Sequence, residues 1–206
     1  MSPPAEAASS AEDAPRGWAA LAPAARRPVL TAVLTLTAVA VMCWRFGPRP
    51  ETAAFVYLSA VAVPLAVVDA ATRRLPDALT LPSYPIAAAL LGTAAPFTAD
   101  GGARYLQAVA TMGVLWLLYA AQWFALPGGL GFGDVKLMGV LGLYLGWFGP
   151  AATVLGLLAI HLVGAVVAAV LLLARRARRG SQIPFGPSMV AGALAVIAWQ
   201  APGWPA

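Results

Sequence analysis

The sequence predicts an all-α, polytopic membrane protein, a bundle of about seven transmembrane helices in which a six-helix core follows one additional helix. Three observations carry this. Of 206 residues, 61% are apolar and only 10% are charged, whereas about a quarter of the residues in a soluble domain are charged. The apolar residues fall into runs of 15 to 25, near the roughly 20 residues that cross a bilayer. The Lys and Arg residues are concentrated in the short polar segments between those runs, as loops of membrane proteins arrange them.

Residues 1 to 27 are rich in Ala, Pro, Ser and Glu without an apolar period, and are expected to form a disordered tail. The run over residues 28 to 46 spans the bilayer at 1.5 Å per residue and has no cleavage site of the secretory kind, so it is expected to stay as a helix. A second run, residues 51 to 68, ends on Asp69, followed by the polar stretch Ala70-Ala71-Thr72-Arg73-Arg74-Leu75-Pro76-Asp77. The third span, residues 79 to 97, carries Pro82 and Pro85, placed here near a helix start where a missing donor is tolerated. Residues 105 to 126 form the fourth. Pro127-Gly128-Gly129-Leu130-Gly131-Phe132-Gly133 then breaks helix geometry and ends on Asp134.

From Leu137 to Ala174 a straight helix would reach about 57 Å, too long for one span. Gly149-Pro150 divides it into a short helix from Asp134 to Phe148 and a full span to Ala174. The last span runs from Ile183 to about Gln200, so the core occupies residues 51 to 200. Ten of the thirteen Lys and Arg lie in the tail and in the 69–78, 127–136 and 175–182 loops; Arg45, Arg49 and Arg104 lie on the other side. That bias puts the N-terminus and both aspartates at the cytoplasmic face of the cell membrane.

The net charge of +5 follows from this loop bias and calls for no nucleic-acid partner; the partner it implies is the lipid bilayer. The single Cys43 excludes an internal disulfide and a thiolate zinc site. No cofactor or metal is expected.

Ionisable groups at membrane depth normally face a bundle interior with a task to perform. Asp69 and Asp134 fit that description. Two neighbouring carboxyls do not both ionise readily, so one can hold a proton and polarise an amide while the other activates water. Because Asp69 closes a helix at its negative end and Asp134 opens one at its positive end, Asp134 is expected to be the charged base. Taken singly, each has a plainer reading: Asp134 as the N-cap of its helix, and Asp69 as a surface partner of Arg73 four residues on.

Together, Asp69 through Asp77 and Gly131-Phe132-Gly133-Asp134-Val135-Lys136-Leu137 resemble the two signature motifs of the type IV prepilin peptidases, a family of GxGD-type aspartic peptidases. Ile183-Pro184-Phe185-Gly186-Pro187 looks like the start of that family's last helix. Presenilin-like proteases share GxGD but pair it with Tyr-Asp, where this chain has Val68-Asp69. The resemblance implies a membrane aspartic endopeptidase that removes the short leader of a pilin-like precursor protein. Asp69 and Asp134 would be its catalytic pair, and Gly131, Gly133, Lys136, Pro76 and Asp77 would support them. The methyltransferase portion of longer members, with its paired cysteines, has no counterpart in these residues, so the short, peptidase-only form is expected.

Two other classes compete. A proton- or cation-coupled transporter would be expected to show an inverted repeat, and none is visible; a non-catalytic pilin-binding remnant would have no need of both acids. His161, mid-span, is expected to be a neutral, hydrogen-bonded packing residue. The tryptophans, among them Trp44, Trp123, Trp147 and Trp199, are expected at the membrane interfaces.

Overall fold

The structure, a computed structural model, describes residues 22–126, 129–175 and 183–200. These are helical with short connections, and among them there is no strand. A short helix α1 (Ala22–Arg26) precedes α2 (Pro28–Phe46), α3 (Thr52–Thr72), α4 (Asp77–Ala94) with a 3-10 turn over Ala95–Phe97, α5 (Gly101–Ala125), α6 (Phe132–Gly146), α7 (Pro150–Leu173) and α8 (Gly186–Trp199). The segment Ala22–Arg26 belongs to the stretch expected to be a tail and is instead helical, its Ala24 buried; its four residues besides Pro23 are all strong helix formers, Ala or Arg. Residues 1–21 of that expected tail, and most of the 175–182 loop, lie outside the described residues.

Among the described residues, five segments are long and apolar enough to cross a membrane: Pro28–Phe46, Thr52–Thr72, Asp77–Phe97, Gly101–Ala125 and Pro150–Leu173. Their outer faces carry exposed Leu36, Leu106, Leu117, Leu158 and Leu173. Such faces are costly in water and at home in lipid. The chain is a multi-pass membrane protein.

The remaining two helices of the expected seven are shorter. At 1.5 Å per residue, α6 and α8 reach about 22 and 21 Å, less than the roughly 30 Å of a hydrocarbon core. Helix α6 is enclosed by protein instead of lipid. Every residue from Leu137 to Trp147 is buried, with Tyr144 and Trp147 at the centre. Helices α4, α5, α7 and α8 pack against it, and α3 reaches it through Phe55, whose ring centroid lies 6.2 Å from that of Tyr144. Close approach depends on small residues, as it does wherever helices meet in a bilayer: a Cβ on Gly142 would stand 3.2 Å from the Met112 Cα and the Thr111 carbonyl oxygen of α5.

Several local expectations are corrected. Helix α4 starts at Asp77, so Pro82 and Pro85 lie inside it, and Pro64 lies inside α3. Proline removes a donor but leaves neighbouring helices to hold the segment, which is tolerated in membrane helices. Trp147 is fully buried, whereas Trp44, Trp123 and Trp199 are exposed as an interfacial belt requires. His161 is hydrogen-bonded, its Nδ1 2.8 Å from the Leu157 carbonyl oxygen, but it lies exposed on α7 instead of packed inside.

Candidate active site

The C-terminal end of α3 and the N-terminal ends of α6 and α8 meet at one end of the bundle. Helix α3 stops after Thr72. Its hydroxyl donates back to the Val68 carbonyl at 2.8 Å, and Arg73 turns into the left-handed region at φ 54° while its N–H donates to the Asp69 carbonyl at 2.7 Å. Asp69 therefore relates to Arg73 through backbone only, and the side-chain ion pair considered from the sequence does not form. The chain then runs extended to Pro76, whose fixed φ of −67° and ψ of 128° set the entry to α4. The Pro76 carbonyl accepts the N–H groups of Leu79 and Thr80, each at 3.2 Å, and the Thr80 hydroxyl at 3.1 Å.

Asp134 is the third residue of α6, since the helix begins at Phe132 with Gly131 at its cap position. It is thus not the N-cap. Its carboxylate reaches back to accept the Gly131 N–H at 3.2 Å, the returning half of a capping box. Asp69 is 4% exposed, and its Oδ2 accepts the Gly186 N–H at 2.9 Å across 117 residues of sequence. Gly186 opens α8. Both carboxylates accordingly sit on the positive ends of helices, Asp134 on its own and Asp69 on α8. The asymmetry expected from each aspartate's place on its own helix is therefore cancelled, and the dipole argument no longer singles out Asp134. Asp69 and Asp134 lie within electrostatic reach of each other.

The supporting residues join the two motifs. Lys136 Nζ donates to Asp77 Oδ1 at 2.7 Å, tying the start of α4 to the first turn of α6. The Tyr84 hydroxyl donates to the Lys136 carbonyl at 2.6 Å. A Cβ on Gly133 would meet the Leu75 Cβ at 3.0 Å, so Leu75, held by Pro76, seats directly on that glycine. Gly131 faces Asp134 in the same way: a Cβ there would lie 3.2 Å from the Asp134 carboxylate.

Two participants escaped sequence reasoning. Gly186 stood in the third motif without a role; a Cβ on it would lie 2.7 Å from Asp69 Oδ2 and 3.0 Å from its Cγ. Only a residue without a side chain lets the carboxyl reach the helix end. Tyr119 of α5, 3% exposed, lies within electrostatic reach of Asp134, and its hydroxyl has no hydrogen-bond partner among the described residues. Nothing in the local pattern of α5 marks it. Among the described residues, no cluster of three or more His, Cys, Asp and Glu is placed to hold a metal ion.

Residues 55–174 match the model of the type IV leader peptidase family. The chain belongs to the type IV leader peptidase family. Among curated family relatives, it is 36% identical over 177 residues to a protein named prepilin leader peptidase/N-methyltransferase from Aeromonas salmonicida, covering 84% of this chain and 58% of the relative. The protein of that name from Neisseria gonorrhoeae is 33% identical, with 85% and 60% covered. The one from Escherichia coli K12 is 34% identical, with 75% and 67% covered. The chain thus spans somewhat under two thirds of the length of the first of these relatives. No solved structure matches it. The family match ends before α8, although α8 supplies the N–H that holds Asp69.

Proposed function

We propose that this chain is a membrane-embedded aspartic endopeptidase that removes the short leader from type IV pilin-like precursor proteins. Asp69 and Asp134 form its catalytic pair. The observation that supports this reading is that two aspartates from motifs 65 positions apart lie within electrostatic reach of each other, each accepting a glycine N–H at a helix start. Membership of the leader peptidase family supports the same reaction.

The chemistry follows from two carboxyls sharing one site. The charged member takes a proton from water as the water attacks the scissile carbonyl carbon. The protonated member donates a hydrogen bond to the carbonyl oxygen, where negative charge develops. Breakdown of the tetrahedral species passes the proton taken from water on to the leaving amine, which restores the pair with the same member charged. The glycine contacts hold both carboxyls without spending either on a counter-ion.

The bias of Lys and Arg supports a placement of the pair at the cytoplasmic face of the cell membrane. A precursor helix would enter laterally and unwind locally, since helical amides are already hydrogen-bonded and hidden. The segments 28–46 and 51–200 divide as an added helix and the peptidase core, with α2 lending Met42 and Phe46 to the common apolar interior. Lys136, Asp77, Pro76, Gly131 and Gly133 act as positioning residues that lock the two motif loops together.

Co-expression with a pilin-like precursor bearing a Gly-terminated leader tests this reading by mass spectrometry of the precursor. Removal of the leader by the wild type and its loss in both Asp69→Asn and Asp134→Asn are expected. Persistence of cleavage in either variant would overturn the assignment of the pair.

A further inference from the structure

The opposite end of the bundle holds an open cavity of about 400 Å³ whose wall includes Arg49, Glu51, Thr98, Arg104, Phe148 and Gln200. That size suits a small ligand. Its charges are arranged unusually. Glu51 is 6% exposed, and its Oε2 receives only a long 3.5 Å hydrogen bond from the Thr98 hydroxyl. Arg49 and Arg104 line the same space, yet among the described residues no ion pair joins either of them to Glu51. A buried carboxylate without a cation is costly. Two arginines and an unpaired carboxylate lining one cavity offer partners for an anion and for a cation in the same ligand.

The depth of the cavity says what kind of ligand reaches it. Glu51 and Asp69 stand 18 residues apart along α3, about 27 Å at the helical rise, close to the thickness of the hydrocarbon core. The cavity therefore lies at headgroup level in the leaflet opposite the aspartates. Phe97 at its rim is 77% exposed, and Trp199 beside Gln200 and Trp44 near Arg45 are exposed as well, marking that interface.

We infer that this cavity binds the zwitterionic phosphoethanolamine headgroup of a lipid, with Arg49 and Arg104 on the phosphate and Glu51 on the ammonium. Guanidinium groups suit a phosphate through their forked donors. The ammonium is a compact three-donor cation, able to satisfy a buried carboxylate in a way that a quaternary amine or a glycerol headgroup is not. An anionic phosphoglycerol headgroup would instead place a hydroxyl on Glu51 and leave its charge uncompensated.

Native mass spectrometry of the delipidated full chain, mixed with equal amounts of phosphatidylethanolamine, phosphatidylglycerol and phosphatidylcholine, tests this. Phosphatidylethanolamine adducts are expected to exceed each of the others by about tenfold, the equivalent of one charge-assisted hydrogen bond. Glu51→Gln is expected to abolish that preference while keeping phosphatidylglycerol binding. The exposed change Arg49→Gln, which does not touch the core, is expected to weaken both lipids together. Equal binding of the three lipids by the wild type, or an unchanged preference in Glu51→Gln, would overturn the inference. Displacement of the lipid by soluble phosphoethanolamine at equal concentration would overturn the lipid as source and leave the free phosphate ester as ligand.

Discussion

Gly186→Ala probes the contact on which the proposed pair most depends. The added methyl would lie 3.1 Å from the Asp69 Cβ and 2.7 Å from its Oδ2, the latter closer than nonbonded atoms come, so either the carboxyl or the start of α8 must move. Movement sacrifices the 2.9 Å bond from the Gly186 N–H. A hydrogen bond to a charged group contributes about 1.5 to 3 kcal/mol, which corresponds to roughly 10- to 150-fold in rate at 1.36 kcal/mol per decade. The assay is the initial rate of leader removal from a purified precursor in detergent, corrected for folded protein by thermal denaturation. Overpacking itself costs about 1 to 3 kcal/mol of stability, so the melting temperature is expected to fall too. Gly113→Ala on α5 serves as control, because its Cβ would meet no atom within 4 Å. If Gly186→Ala cleaved within threefold of that control per folded molecule, α8 would not be positioning Asp69 and the reasoning would fail.

Gly139→Ala should destabilise the protein by about 1 to 3 kcal/mol, because the methyl would run into the Tyr84 hydroxyl and approach Trp116 Cδ1 at 3.0 Å; differential scanning fluorimetry reads this, and an unchanged melting temperature would contradict the packing. The Lys136–Asp77 pair is partly exposed, the side chains 19% and 57% open, so a double-mutant cycle over Lys136→Gln and Asp77→Asn is expected to give a coupling of only about 0.2 to 1 kcal/mol, weaker in high salt. A rate profile against pH should be bell-shaped, falling in acid as the charged carboxyl takes up a proton and in alkali as the other loses one; a rate that kept rising through alkaline pH would point to a different base.

Much of the bundle is legible in the sequence because bilayer thickness acts on local composition: Pro28–Phe46, Gly101–Ala125 and Pro150–Leu173 are visible as apolar runs, and Gly149-Pro150 as a break. Helix ends are less so. Helix α3 continues through Asp69 to Thr72, and α6 begins two residues before Asp134, because side chain to backbone bonds by Thr72 and Asp134 extend the helices into polar sequence. The short helix α6 is legible as the interval before Gly149-Pro150, but its enclosure by protein and the shortness of α8 depend on how the other helices pack, which no apolar run reveals. The two aspartates stand out as charges beside apolar runs. Their partners do not: Gly186 and Asp69 are 117 residues apart, Asp77 and Lys136 are 59 apart, and Tyr119 sits among similar residues of an apolar helix. Long-range contacts of this kind leave no trace in local periodicity.

The most direct test of the aspartate pair is the rate of leader release from a purified precursor by Asp69→Asn, Asp134→Asn and the doubly substituted chain, each verified as folded. If the two carboxyls act as one unit, each single substitution should lower the rate as far as both together. Losses that multiply in the double variant, or a single variant that still cleaves at the wild-type rate, would contradict a shared site.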